Sequence, residues 1–263
     1  MHPPGGRLVS GAGTTGGATL VAHCLLIETA SSGLVLVDTG LGLQDVADPK
    51  SLPAIFRAAV RPALELGETA AAQVEALGFA RTDVRHVIVT HLDVDHAGGL
   101  RDFPEASIHV SATELEAARN PRSRIEKDRY VQHQWAHGPN WVEHMVTGAG
   151  WHGFDAVRDL PGLPPEILLV PLAGHTRGHS GIAVDTGDGW LLHAGDAYFF
   201  HGQMHQPPTC TPGLALFQVI VQTERDKRLA NLARLQELAT DPSVSVFSAH
   251  DKHEFEQLKA GNA

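Results

Sequence analysis

Four potential metal ligands within six residues constrain this chain more than any other feature. They are the imidazoles and carboxylates of the hexad His-Leu-Asp-Val-Asp-His: His91, Asp93, Asp95 and His96. The hexad follows the apolar run 87–89, and a chain that leaves a strand in a tight loop turns closely spaced side chains towards one point. The hexad therefore predicts a metal site; the alternative is a surface loop that is rich in Asp and His by chance.

Three further candidate ligands share one placement, after a short apolar run: His179, Asp196 and His250. Such runs, bounded by glycine and proline, indicate buried strands, and buried sheets carry functional side chains on the loops at one edge. We therefore expect these side chains to meet the hexad in one cavity.

The rest of the chain predicts a layered α/β structure. Segments 24–28 and 34–38 indicate one hairpin, and a second turns at Gly187. Alanine-rich and amphipathic segments predict helices over 69–77 and 112–120, and the last third of the chain is mostly helical in pattern.

The order of the motifs matches a known family. After the hexad come Gly-His-Thr-x-Gly-His over 174–179, then Gly-Asp, then a late histidine, and an early Asp-Thr-Gly turn begins at Asp38. From Val21 to His250 the chain resembles the metallo-β-lactamase superfamily, in particular its branch of N-acyl homoserine lactone lactonases and glyoxalase II-like hydrolases. The resemblance implies an α/β fold, a four-layer αββα sandwich, formed by residues 1–263 as a single domain.

The resemblance also implies a centre of two divalent metal ions, zinc first, with iron or manganese as alternatives. The first ion would take His91, Asp93 and His179, the second would take Asp95, His96 and His250, and Asp196 would bridge them together with a water or hydroxide. Two such ions lower the pKa of the bridging water towards about 7 and polarise a substrate carbonyl. Asp95 would also orient the nucleophile or move its proton.

At Asp93 the chain departs from the family pattern, which usually has histidine there. The extra carboxylate lowers the net charge of the site, and its harder oxygen makes iron or manganese more competitive with zinc. Diiron members carry a glutamate at this position, and aspartate is one methylene shorter. We therefore expect two metals with unequal affinity.

Other residues have two interpretations each. Tyr198 is a candidate catalytic residue that would donate to a substrate carbonyl, as a tyrosine near this position does in related lactonases; ordinary packing is the alternative. For His175 and Asp38 we predict hydrogen bonds to ligands and not metal contact. The Trp- and His-rich segment 130–154 is either a pocket wall or a core patch or subunit interface, and segment 199–208 is the candidate second wall.

Charge and apolar patterning restrict the partners. The net charge of −10 and the lack of a basic cluster argue against nucleic acid. The apolar stretch 18–27 is too short to span a membrane and no basic leader precedes it, so we expect a cytoplasmic protein. Cys24 and Cys210 form no motif and are expected to be reduced. The sequence leaves open whether the protein forms a homodimer.

These observations predict a dinuclear metal-dependent hydrolase that uses a metal-bridging hydroxide. The substrate would be a small ester or lactone with an apolar portion, resembling an acyl homoserine lactone. Because of Asp93, a second class of function remains an alternative, an iron-dependent oxidoreductase of the same fold. A metal-binding or sensing member with little catalysis is the third alternative.

Overall fold

The computed structural model describes residues 1–11, 17–146, 148–156 and 160–261. Within these ranges the strands are β1 Leu25–Glu28, β2 Leu34–Val37, β3 Val84–Ile88, β4 Ser107–Ser111, β5 Asn140–His144, β6 Ala149–Trp151, β7 Phe154–Ala156, β8 Ile167–Pro171, β9 Ser180–Asp185, β10 Trp190–His193 and β11 Val244–Phe247. The α-helices are α1 Arg7–Ser10, α2 Leu43–Ala47, α3 Ala54–Val60, α4 Ala70–Ala76, α5 Val94–Ala97, α6 Ala112–Arg119, α7 Arg124–Arg129, α8 Pro212–Val221, α9 Arg225–Leu238 and α10 Lys252–Lys259.

The strands form two large mixed sheets and a small hairpin of β6 with β7. The first sheet has the order β1-β2-β3-β4-β5, in which β1 is antiparallel to β2 and the other neighbours are parallel. The second has the order β11-β10-β9-β8, with β10 and β11 parallel. Both predicted hairpins are present, as β1–β2 and β9–β10, and the predicted helices 69–77 and 112–120 are α4 and α6.

Side chains that alternate along the strands separate three cores. On β2, Leu34 and Leu36 pack with α4 and α6, whereas Val35 and Val37 pack with β8 and β9 of the second sheet. Strand β8 alternates in the same way between the first sheet and a third core that contains α9. Because each sheet buries both faces, the order of layers is helix, sheet, sheet, helix. The predicted four-layer αββα sandwich is confirmed.

The loops that follow β2, β3, β8, β10 and β11 meet at one edge of the sandwich, where the candidate ligands lie. Both cysteines are free thiols, as expected. In the described part of the chain, we find no helix with the length and apolar character needed to cross a membrane.

Candidate metal centre

The hexad connects β3 to the short helix α5. Leu92 and Val94 are buried, so the polar residues between them face the other side of the loop, and α5 turns His96 towards the same point. Backbone N–H groups of His96 and Ala97 both donate to the carbonyl of Asp93, which closes this tight turn. The local fold therefore presents all four polar side chains of the hexad at the edge of the first sheet.

Six of the seven predicted ligands come together with His175 in one cluster. Within each of three overlapping groups, the ligand atoms lie within 4.8 Å of one another: His91, His96 and Asp196; His91, Asp93 and His175; Asp95, His96 and His250. Asp93 reaches the cluster despite its short side chain, since its Oδ2 lies 3.5 Å from Nε2 of His91.

The two histidines of loop 174–179 have exchanged their predicted roles. Nε2 of His175 lies 3.0 Å from Oδ2 of Asp93 and 3.4 Å from Oδ2 of Asp196. In His179, Nδ1 donates to the carbonyl of Leu172 at 3.1 Å, and Nε2 accepts the N–H of Asp196 at 2.9 Å. Because the backbone occupies both of its ring nitrogens, the assignment of His179 as a metal ligand was wrong. His175 lies at that place in the cluster, beside His91 and Asp93; the spacing of the two histidines in the sequence does not show which of them faces the cluster.

The rings of His96 and His250 point their Nε2 atoms into the cluster, beside Oδ1 of Asp196. Nδ1 of His96 donates to Oδ2 of Asp38 at 2.8 Å, and Nδ1 of His250 donates to the carbonyl of Val21 at 2.7 Å. These partners assign the proton to Nδ1 in both rings, which leaves their Nε2 atoms facing each other at 3.3 Å. The carboxylate of Asp196 favours an extra proton on His96 in the metal-free chain, and a divalent cation bound by these nitrogens would take the place of that proton, so the donor set fits a metal ion.

His91 has a similar arrangement. Its Nδ1 lies 2.9 Å from Oγ1 of Thr90, and that hydroxyl donates to Asp38 at 2.7 Å, so Nδ1 is the donor to Thr90. Its Nε2 is buried and has no hydrogen-bond partner among the described residues. Asp38 accepts hydrogen bonds from His96 and from Thr90, which in turn accepts one from His91. Asp38 therefore contacts the candidate ligands through hydrogen bonds, as predicted.

Charges within the cluster shift the pKa values in opposite directions. Burial lowers the pKa of His96, but the carboxylates of Asp196 and Asp38 outweigh it and raise that pKa well above its usual value. Burial raises the pKa of Asp196, but His250, His96 and His175 hold it well below the usual range. Burial and Arg129 lower the pKa of His175 to about 4. His175 is therefore neutral at pH 7, the form that binds a metal.

Glu114 was missed by the sequence analysis. Its buried carboxylate accepts the N–H of Leu92 at 3.0 Å and of Gly178 at 3.1 Å, and the hydroxyls of Thr176 at 2.6 Å and Tyr130 at 3.2 Å. It therefore joins the hexad loop to loop 174–179. A Cβ on Gly178 would lie 2.1 Å from the backbone nitrogen of Glu114, so this approach requires glycine.

Tyr198 does not have the placement that the catalytic hypothesis requires. Its side chain is fully buried in the core that contains α9, and its hydroxyl donates to Oε1 of Glu254 at 2.8 Å. It is not among the residues that line the cavity above the cluster. The structure therefore favours the packing alternative, because a hydroxyl held by Glu254 in the core does not face a substrate.

A cavity of about 390 Å³ opens directly onto the cluster. Asp93, Asp95, His175, Asp196 and His250 form its polar floor. Its walls are mostly apolar and come from α3, α7, α8 and the N-terminal segment, together with Phe199; Asp128 and Arg129 of α7 add charged groups to the lining.

The two segments that the sequence offered as cavity walls contribute little to the lining of this cavity. Of segment 199–208 only Phe199 lines it. In segment 130–154, Trp135 and Trp141 pack against the core beside α4 and α6, and Trp151 lies in the core beside α9. Thr147 of that segment lies outside the described residues. The packing alternative therefore holds for these tryptophans.

Fold and site together define a class of protein in which a sandwich of two sheets carries clustered histidine and aspartate side chains on the loops at one edge. Residues 17–238 match the model of the metallo-beta-lactamase superfamily. The chain belongs to the metallo-β-lactamase superfamily.

Relatives and solved structures agree with this membership. A probable metallo-hydrolase of Mycobacterium tuberculosis is 44% identical over 237 residues, which cover 89% of this chain and 76% of that protein. The N-acyl homoserine lactonase AttM of Rhizobium johnstonii is 32% identical over 226 residues, covering 85% and 79%. An N-acyl homoserine lactone hydrolase, solved with N-hexanoyl-L-homoserine at its catalytic metal centre, superposes with a TM-score of 0.68 at 21% identity, covering 95% and 90%.

Proposed function

We propose that this protein is a dinuclear metal-dependent hydrolase of small lactones or esters with an apolar acyl group, resembling acyl homoserine lactones. The observation that carries the proposal is the cavity, which combines a floor of metal-ligand side chains with apolar walls. A scissile carbonyl at the floor would leave the acyl chain against those walls.

The side chains divide into two ligand sets around a shared carboxylate. His91, Asp93 and His175 would hold one metal, and Asp95, His96 and His250 the other. Oδ2 of Asp196 lies 3.4 Å from His175, and its Oδ1 lies 3.0 Å from His250, so its two oxygens face different sets. Bound there, two divalent ions would supply Lewis acidity and an activated water at neutral pH.

The chain's own groups contribute positioning and proton transfer. Oδ2 of Asp95 lies 3.7 Å from Nε2 of His250, and the Asp95 side chain retains 12% exposure at the cavity floor. A carboxylate at that place orients a water molecule and accepts its proton. An acyl group bound against the apolar walls would displace water from the cavity and so strengthen the electrostatic interactions at the floor.

The choice among metals and substrates is also part of the proposal. Zinc is supported by a structural neighbour described as a dizinc quorum-quenching lactonase, which matches with a TM-score of 0.62 at 16% identity. Iron or manganese are the alternatives because of Asp93. The lactone substrate is supported by the relatives named as N-acyl homoserine lactonases.

The experiment measures metal content and turnover together. Protein purified without added metal is analysed for zinc, iron and manganese, then assayed with acyl homoserine lactones of increasing chain length and with aryl esters. Asp95→Asn should lower kcat by at least about a hundredfold, since nucleophile positioning and metal binding both suffer. The matched control is Asp226→Asn, whose carboxylate is 98% exposed on α9.

The outcomes separate the three classes of function. Zinc with lactone turnover that depends on Asp95 supports the hydrolase. Bound iron, a visible absorption band and no hydrolysis would favour the oxidoreductase. Stable metal binding with neither activity would favour a sensing or binding role and overturn the hydrolase.

A further inference from the structure

Asp93 is held by a buried arginine that the sequence analysis did not single out. Nη1 of Arg129 lies 3.4 Å from Oδ1 of Asp93, and the two side chains are only 7% and 16% exposed. The other oxygen, Oδ2, faces His91 and His175. The two carboxylate oxygens therefore have separate partners, the arginine on one side and the ligand cluster on the other.

The guanidinium is fixed from the opposite direction by two carbonyls. Arg129 is the last residue of α7; its Nη1 donates to the carbonyl of His175 at 3.1 Å, and its Nη2 donates to the carbonyl of Val221 at the end of α8. Its Nε is buried without a hydrogen-bond partner among the described residues. This charge therefore stays beside the ligand cluster, and its carboxylate neighbour is Asp93.

The negative charge of Asp93 and the positive charge of Arg129 together stand where the family pattern has one neutral histidine. A histidine at position 93 would be a neutral donor, whereas Asp93 adds one negative charge beside two proposed dications. The positive charge of Arg129 restores the balance from the far side of the same carboxylate. A neutral ligand at position 93 would leave the guanidinium buried and unpaired next to those dications.

We propose that Arg129 is a positioning residue that orients Asp93 for metal binding and offsets its charge. Position 93 and position 129 are therefore coupled: histidine at 93 suits a neutral residue at 129, and aspartate at 93 suits arginine. The proposal rests on the metal centre of the proposed function but not on its substrate.

The experiment is a double-mutant cycle on zinc binding, read by chelator competition and by zinc bound per chain. The variants are Asp93→His, Arg129→Met and the double variant, with Arg129→Lys as the control that keeps the charge. We expect Asp93→His and Arg129→Met each to weaken the weaker zinc site at least tenfold. The double variant should recover most of this loss, and Arg129→Lys should keep two zinc ions per chain.

A purely mechanical role for Arg129 predicts a different result. If the arginine only braces the carbonyls of His175 and Val221, Arg129→Met weakens zinc binding equally in both backgrounds and the effects add. Additive effects therefore overturn the proposal. The single variant Asp93→His is also a test of the coupling, because it retains Arg129 and its backbone contacts. If this variant bound zinc as tightly as the wild type, the result would contradict the coupling.

The experiments distinguish a failure of the proposed coupling from a failure of the proposed function, because metal binding and hydrolysis are measured separately. A wild-type chain that binds neither zinc, iron nor manganese overturns both the coupling and the proposed function. A zinc-loaded chain that cleaves no lactone or ester overturns the function and leaves the cycle to decide the coupling.

Discussion

His175 and His179 lie four residues apart in one loop and have opposite surroundings. His175 faces two carboxylates of the cluster, whereas the backbone of Leu172 and Asp196 occupies both ring nitrogens of His179. One ring is therefore available to a metal and the other fixes the path of the loop. Gly195, with φ +53°, passes so close that a Cβ there would lie 2.5 Å from Nε2 of His179.

This difference predicts separable effects of substitution. His175→Asn should remove a metal from the chain and leave the metal-free protein about as stable as the wild type. His179→Ala should lower the free energy of unfolding of the metal-free protein by about 2–4 kcal/mol, because it deletes a buried ring and two hydrogen bonds. Metal analysis and urea unfolding after chelation measure the two effects. The reverse pattern would restore the original assignment.

Glu114 and Glu116 allow a second comparison on one helix. Glu114→Gln keeps the side-chain shape but places an NH₂ group against donors, so we expect a loss of about 2–3 kcal/mol in the free energy of unfolding and weaker metal binding. Glu116 is exposed on the same helix, so Glu116→Gln should change little. Chemical denaturation and chelator competition provide the measurements, and equal effects of the two changes would contradict the bridging role.

Among the elements, α10 positions the loop that carries His250. Oε2 of Glu254 accepts the N–H of Ser248 at 2.8 Å, and its Oε1 accepts the hydroxyl of Tyr198 at 2.8 Å. Tyr198 thus fastens α10 to the core beside α9 and supports the metal loop from behind. Its packing role concerns the stability of this loop and not the reaction.

The charge of Glu254 predicts a pH dependence of stability. Burial raises the pKa of Glu254 from 4.5 to about 8, so between these values the folded chain keeps a proton that the unfolded chain has lost. Stability conferred by this group is present below about pH 4.5 and is lost as the pH rises towards 8. A glutamine at this position cannot ionise, so Glu254→Gln should not lose stability in this way as the pH rises.

We therefore expect the stability of Glu254→Gln relative to the wild type to increase by about 1–3 kcal/mol between pH 5 and pH 8. Urea unfolding of metal-free protein at both pH values measures the difference. Glu256→Gln, on the exposed side of the same helix, is the control and should follow the wild type. Parallel pH profiles for all three proteins would show that Glu254 ionises normally.

Across the whole molecule, the ligand cluster joins the two sheets. The hexad belongs to the first sheet, whereas His175, Asp196 and His250 follow strands of the second. Metal ions bound there would link the halves, because ligands from both sheets converge on each set. Binding energy for the metals is then also folding energy.

Removal of metal should lower the thermal stability of the protein. At a free zinc concentration of about one hundred times Kd, each site contributes about 2.7 kcal/mol to the free energy of unfolding. Thermal melts before and after chelation, then after readdition of zinc, measure this contribution; magnesium is the control because it prefers oxygen ligands. If chelation of a fully metal-loaded chain left its Tm unchanged, this result would contradict the proposed link between the sheets.

Local sequence predicted the strands that precede the candidate ligands, both hairpins, the helices α4 and α6, and the residue types of the ligands, but it did not predict β5, β6 and β7. Short apolar runs, glycine turns and clustered His and Asp residues are patterns of a few consecutive residues, so the sequence shows them without the tertiary structure. The order of the motifs along the chain was sufficient to indicate the superfamily and therefore the four-layer sandwich.

Only the tertiary structure decided which histidine of loop 174–179 faces the cluster, that Glu114 and Arg129 contact its residues and loops, and that α3, α7 and α8 line the cavity. These features depend on contacts between residues that are far apart in the chain. An apolar helix face has the same sequence pattern whether it covers a core or a cavity, and a lone Glu or Arg on a helix has the pattern of a surface residue. Their roles therefore follow from where the chain brings them, which no local pattern encodes.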